Sequence, residues 1–215
     1  MAEGSRDSAA LVGRERWRGD WREAGATRVD EAGYDQVMAC YGEVHRAYHT
    51  VEHLRECFAW LERWRGHAER TAEVGLALWY HDAVYDTRGA GSEARSAALF
   101  GEVAAGFGVP AEVVARVQAA ILVTAHLGEP VGADQEVLID CDLAILGAEP
   151  ARYARYCQDV RREYGWVPEA MFKATRARVL RGFLERERLF HTEAARAVLD
   201  APARANLTRE LSELG

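Results

Sequence analysis

Val51-Glu52-His53-Leu54-Arg55-Glu56-Cys57-Phe58-Ala59-Trp60-Leu61 is the stretch from which the fold can be read. Its apolar residues Val51, Leu54, Phe58 and Leu61 return at steps of three and four. That spacing places them on one stripe of a helix over about residues 48–65. The same period recurs outward from this stretch. Val74, Leu78 and Tyr80 predict a helix ending near His81-Asp82, and Ser92-Glu93 reads as a cap and first-turn acid opening another helix through about Phe107. Val113, Val117, Ile121 and Thr124 form the next stripe, followed by a helix over about Val137–Leu146. Tyr153, Tyr156 and Val160 continue the pattern. Pro168 then suits the first turn of a long helix carrying Val179, Leu180, Phe183 and Leu184, and Glu193–Leu214 reads as the last helix. Period-two alternation and Asn-Gly hairpin signals are missing, so the chain reads as all-α.

The 215 residues suffice for one domain, since chains of this size bury roughly 70% of their unfolded surface without disulfides or structural metals. Hydrophobic residues make up 49% and charged residues 28%, which argues against disorder. The net charge of -7 lacks the basic field that duplex nucleic acid requires. No apolar run spans a membrane and no secretory h-region is present, so a cytoplasmic protein is expected. Cys40, Cys57, Cys141 and Cys157 are scattered, as reduced thiols used as small apolar side chains would be. Residues 1–25, where charge and glycine outweigh apolar side chains, read as a poorly ordered or peripheral segment, and 26–215 as the domain.

Within this helical frame the ionisable residues are unevenly placed. His45, His49 and His53 are spaced by four and would share one face of a continuous helix. His81-Asp82 follows the apolar run Leu76–Tyr80, and Asp140 and Asp142 interrupt Val137–Leu146. A carboxylate inside such a run has to be paired, hydrogen-bonded or metal-bound, and one divalent ion would neutralise several such groups together.

Tyr48-His49-Thr50-x-x-His53, Trp79-Tyr80-His81-Asp82-Ala83-Val84-Tyr85-Asp86, Ser92-Glu93-x-x-Ser96-Ala97 and Leu138-Ile139-Asp140-Cys141-Asp142-Leu143-Ala144-Ile145-Leu146-Gly147 follow in that order. As a set they resemble the predicted metal-dependent phosphohydrolases of the HD superfamily. Val160-Arg161-Arg162-Glu163-Tyr164 and Arg176-x-x-Val179-Leu180-x-x-Phe183-Leu184 extend the likeness over about residues 34–190. The resemblance implies a single-domain HD-type helical bundle holding a divalent metal (Mn, Mg, Co, Ni, Fe or Zn). The implied ligands are His53, His81, Asp82 and Asp142, with His49 the alternative to His53 and Asp140 the alternative to Asp142.

Tyr48-His49-x-x-x-His53 is also similar to the first metal motif of cyclic nucleotide phosphodiesterases, which implies His49 as general acid. Asp82, Asp86 and Glu93 are candidates to orient or deprotonate the attacking water. His126 is a candidate for a second metal or the phosphate. Lys173 and Arg176 are favoured to bind substrate phosphate, with Arg46 and Arg88 as further cations. Trp60, Trp64 and Trp79 read as core. The implied activity is hydrolysis of a small phosphate ester, with a nucleotide as the expected partner. The alternatives are a di-iron oxygenase of the same superfamily and a metal-binding sensor module.

Overall fold

The computed structural model describes residues 10–215, and every regular element among them is helical. The order is α1 (Arg14–Glu23), α2 (Glu31–Tyr41), α3 (Val51–Trp64), α4 (Thr71–Tyr80), α5 (Ser92–Phe107), α6 (Ala111–Val123), α7 (Gly132–Asp142), α8 (Pro150–Glu163), α9 (Glu169–Glu185), α10 (Glu193–Ala195) and α11 (Ala201–Leu214). Single 3₁₀ turns follow α3 and α7, and a π turn (Arg196–Asp200) joins α10 to α11.

Helix α4 is the axis of the bundle. Ala72 and every residue from Val74 to Tyr80 are buried, the pattern of a helix apolar on all sides. Helices α1, α3, α6 and α7 pack around it, and α3 also packs on α7. These contacts position the site. The start of α3 and the ends of α4 and α7 meet where the three helices touch, so polar residues at those termini converge.

Local chemistry sets the termini. Thr50 caps α3 by accepting the Glu52 N–H at 3.3 Å, so the helix begins at Val51 rather than near residue 48. His45 and His49 therefore lie in the connection before it and share no helical face with His53. Ser92 does not cap α5: Gly91 takes that position with φ 73, a left-handed conformation that favours glycine, and Ser92 Oγ accepts from the Asp86 N–H at 3.3 Å.

The expectation of a peripheral N-terminal segment is corrected from residue 10 onward, while residues 1–9 lie outside the described residues. Trp17 and Trp21, one turn apart on α1, are fully buried. Trp17 meets Trp79 edge-on at 5.4 Å, and Trp21 lies at 5.5 Å from Phe100 and 4.9 Å from Phe107. Of the charges that suggested disorder, Arg14, Glu15, Arg22 and Glu23 are exposed, whereas Asp20 is buried and accepts the Trp79 indole N–H at 2.9 Å. Trp79 and Trp64 are core as expected, whereas Trp60 is only half-buried and stacks on Trp64 at 4.6 Å. No helix among the described residues is long and apolar enough to cross a membrane.

Candidate metal centre

His53 leaves the first turn of α3, His81 and Asp82 follow the last turn of α4, and Asp142 ends α7. His53 Nε2 lies 3.2 Å from His81 Nε2, 3.5 Å from Asp82 Oδ2 and 3.3 Å from Asp142 Oδ1. His81 Nε2 lies 3.0 Å from Asp82 Oδ2 and 3.5 Å from Asp142 Oδ1. Metal bonds of about 2.1 Å place neighbouring ligands about 3.0 Å apart on an octahedron and about 3.4 Å apart on a tetrahedron. The five separations have the size of the edges of one coordination polyhedron.

The donor chemistry fits a cation as well. His81 Nδ1 donates to the Leu78 carbonyl at 2.8 Å, which leaves Nε2 of the neutral ring as a lone pair facing the cluster. Two imidazole nitrogens and two carboxylates thus present electron pairs to one point, an arrangement satisfied by protons or by a metal. Burial opposes charge on His53 and His81, but the surrounding anions, Asp82 and Asp142 among them, outweigh it and hold both rings well above the ordinary histidine range. Burial likewise pushes Asp82 and Asp142 upward, yet the imidazoles around them drive both well below the carboxylate range. Cys57, which the sequence reading set aside, joins the group: His53, Cys57, His81 and Asp142 each offer a ligand atom, all within 4.8 Å of one another. Its Sγ is 3.7 Å from both ring nitrogens of His53, so it sits beside the ring rather than along either lone pair.

Asp140 has a different employment. It accepts from the His191 N–H at 2.7 Å, the Thr192 N–H at 2.8 Å and the Thr192 hydroxyl at 2.7 Å, tying α7 to the start of α10. Burial raises its pKa above the ordinary value in spite of those donors. Of the two aspartates, Asp142 alone reaches the cluster. Its other oxygen, Oδ2, lies 3.1 Å from His126 Nε2. His126 has φ 56, the left-handed region that costs a non-glycine residue about 1 kcal/mol or more, and this backbone turns its ring toward Asp142.

His49 stands beside this cluster. Its ring stacks on Tyr85 at 4.1 Å, and its Nδ1 lies 2.7 Å from Glu163 Oε2. Glu163 is the buried residue beside this cluster to which sequence reasoning gave no role. Its Oε1 accepts the backbone N–H groups of Ala47, Tyr48 and His49 at 2.8, 2.8 and 2.9 Å, and Oε2 also accepts the Tyr85 hydroxyl at 3.0 Å. Burial works against its charge, but the His49 ring and these N–H groups bring its pKa down to about 2. In sequence it lies within Val160-Arg161-Arg162-Glu163-Tyr164, a segment counted in the family resemblance but given no role there, because nothing local marks the carboxylate as buried.

The cluster opens onto a cavity of about 590 Å³ lined by His49, Asp82, Asp86, Glu93, His126, Asp142 and Arg176 among mostly apolar neighbours. The Asp86 carboxylate accepts from the Arg88 N–H at 2.9 Å, and Glu93 lies in the first turn of α5. Lys173 does not line this cavity; its Nζ pairs with Glu169 at 3.3 Å one turn back. Arg176 does line it, but Glu210 holds its Nε and Nη2 at 2.7 and 3.0 Å. The guanidinium of Arg46 is likewise occupied, by Glu43 and the carbonyls of His49, Asp82 and Ala83. The sequence reading favoured Lys173 and Arg176 because their segment matches the family resemblance; Arg46 and Arg176 are held by buried structural partners, and Lys173 pairs with Glu169 on the surface away from the cavity.

Comparison with family models, with curated proteins and with solved structures finds no match to this chain.

Proposed function

We propose that the chain is a metal-dependent phosphohydrolase of the HD type acting on a small phosphate ester. The observation that carries this reading is the set of five nitrogen and oxygen separations between 3.0 and 3.5 Å, contributed by three helices, with Asp82 and Asp142 of the group lining a cavity. His53, His81, Asp82 and Asp142 would hold the ion, with Cys57 at its edge. A divalent cation supplies Lewis acidity to a phosphoryl oxygen and acidifies a coordinated water.

The chain's own residues supply the rest. Glu163 accepts Nδ1–H of His49 and fixes its tautomer, so the other ring nitrogen is the one that gains and releases a proton. A carboxylate of the site, Asp82 in the first place, takes a proton from the attacking water. The water oxygen forms the new P–O bond, the ester P–O bond breaks, and His49 delivers a proton to the departing alkoxide.

Metal analysis of the purified protein and a screen of phosphate esters with Mn, Co, Ni and Mg test this reading. Hydrolysis that requires the ion and disappears in Asp82→Ala is expected. Unchanged hydrolysis of every responsive ester by that variant would overturn it. The placement of His126 on the second oxygen of Asp142 favours one further reading, a dinuclear iron site with oxygen-dependent chemistry. An EPR signal of a mixed-valent iron pair distinguishes that reading.

A further inference from the structure

We propose that the cavity selects esters with a single phosphorus and an aromatic or apolar organic group, and discriminates against polyphosphates; this rests on the phosphohydrolase reading. Two features of the lining carry the inference. The first is apolar. Tyr85, Tyr156, Trp166, Phe172 and Phe183 face the cavity, and three large side chains on its margin, Trp166, Met171 and Val179, are 48%, 61% and 43% exposed. Large apolar residues gathered at one opening are the ordinary mark of a surface that receives an apolar group.

The second feature is charge. Four carboxylates, Asp82, Asp86, Glu93 and Asp142, line the cavity against one guanidinium, Arg176. That guanidinium is spoken for by Glu210 and also lies 3.2 Å from the Tyr156 hydroxyl. A divalent ion offsets two of the four carboxylates, enough to admit one phosphate. The β- and γ-phosphates of a longer chain would meet Glu93, or Asp86 already paired with Arg95 at 3.6 Å, and the lining offers them no unpaired arginine or lysine. A further cation, Arg88, lines a second cavity of about 480 Å³ that shares Asp86, Thr87 and Trp166 with the first. Trp166 Nε1 donates to Thr87 Oγ1 at 3.0 Å, and Arg88 lies over the Trp166 ring at 5.1 Å. The indole thus forms part of the apolar wall and part of the partition that keeps Arg88 apart.

The full chain reconstituted with metal is assayed on matched pairs, phenyl phosphate against glycerol phosphate and AMP against ATP. A kcat/KM at least tenfold higher for the first member of each pair is expected. Binding of phenylphosphonate against methylphosphonate, read by tryptophan fluorescence, should show the same order. In Trp166→Ala, whose fold is checked by circular dichroism, both ratios should fall by about tenfold. Hydrolysis without these preferences, or ratios unchanged in Trp166→Ala, overturns the selectivity and leaves the hydrolase reading standing. Hydrolysis of no ester by metal-loaded protein overturns the hydrolase reading and the selectivity with it.

Discussion

Replacing Glu163 with glutamine keeps the shape of the side chain and removes its charge. Five donors converge on that carboxylate, three backbone N–H groups on Oε1 and the His49 ring and Tyr85 hydroxyl on Oε2. A glutamine can serve the first three with its carbonyl, but its NH₂ then opposes two donors, costing roughly 3–6 kcal/mol when each charge-assisted bond contributes about 1.5–3 kcal/mol. The depressed pKa, which arises from the same donors, gives a figure of similar size. A drop from 4.5 to about 2 corresponds to about 3 kcal/mol at 1.36 kcal/mol per unit. Because the folded value is depressed, this stability is fully present above pH 4.5 and is lost as the pH falls toward 2. Urea unfolding of wild type and Glu163→Gln, from pH 7 down to pH 2, measures both. The variant should be about 3 kcal/mol less stable at pH 7, and the gap should close in acid. Equal stabilities at neutral pH, or a gap that persists at pH 2, would refute the assignment of Glu163 as the anionic anchor of residues 47–49.

The remaining expectations concern separate parts of the molecule. His81→Ala should weaken metal binding by on the order of a hundredfold or more, above the 10–100-fold that partners of ligands cost; titration calorimetry checks this. Asp140→Ala should cost about 3 kcal/mol through three lost hydrogen bonds while metal content stays near wild type, so loss of the ion would contradict its structural role. Trp21→Ala should destabilise the fold by about 3–5 kcal/mol in chemical denaturation, against the ±0.5 kcal/mol of a peripheral residue. His49→Gln should lower kcat on an alkyl ester by roughly 10²–10⁴-fold and on a nitrophenyl ester by less than tenfold, because nitrophenolate leaves without a proton; equal losses would exclude proton donation.

Apolar period carried most of the architecture. The stripes of α3, α6 and α8 name their buried faces, and the apolar run of α4 reads as a helix from sequence, while its central place appears only in its packing against α1, α3, α6 and α7. The candidate cluster was partly legible for the same reason: His81, Asp82, Asp140 and Asp142 interrupt or end apolar runs, where an ionisable group needs a partner, whereas the choice of His53 and Asp142 as expected ligands came from the family resemblance. Helix α1 was misread because its mean composition is polar, while only Trp17, Asp20 and Trp21 on one face enter the core. Composition averages around a helix, but burial acts on one side of it.

Choices between near neighbours were settled by packing. Asp140 and Asp142 are two positions apart on the last turn of α7 and therefore point in different directions, one to the start of α10 and the other to the histidines. Local sequence cannot rank them, since the difference lies in which distant chain each side chain meets. The same holds for Glu163, whose five donors lie 78 to 116 residues earlier, and for Arg176, bound 34 residues away by Glu210. Periodicity is a property of consecutive residues and can be read along the chain. Charge neutralisation depends on groups brought together in space, and it exists only once the helices have packed.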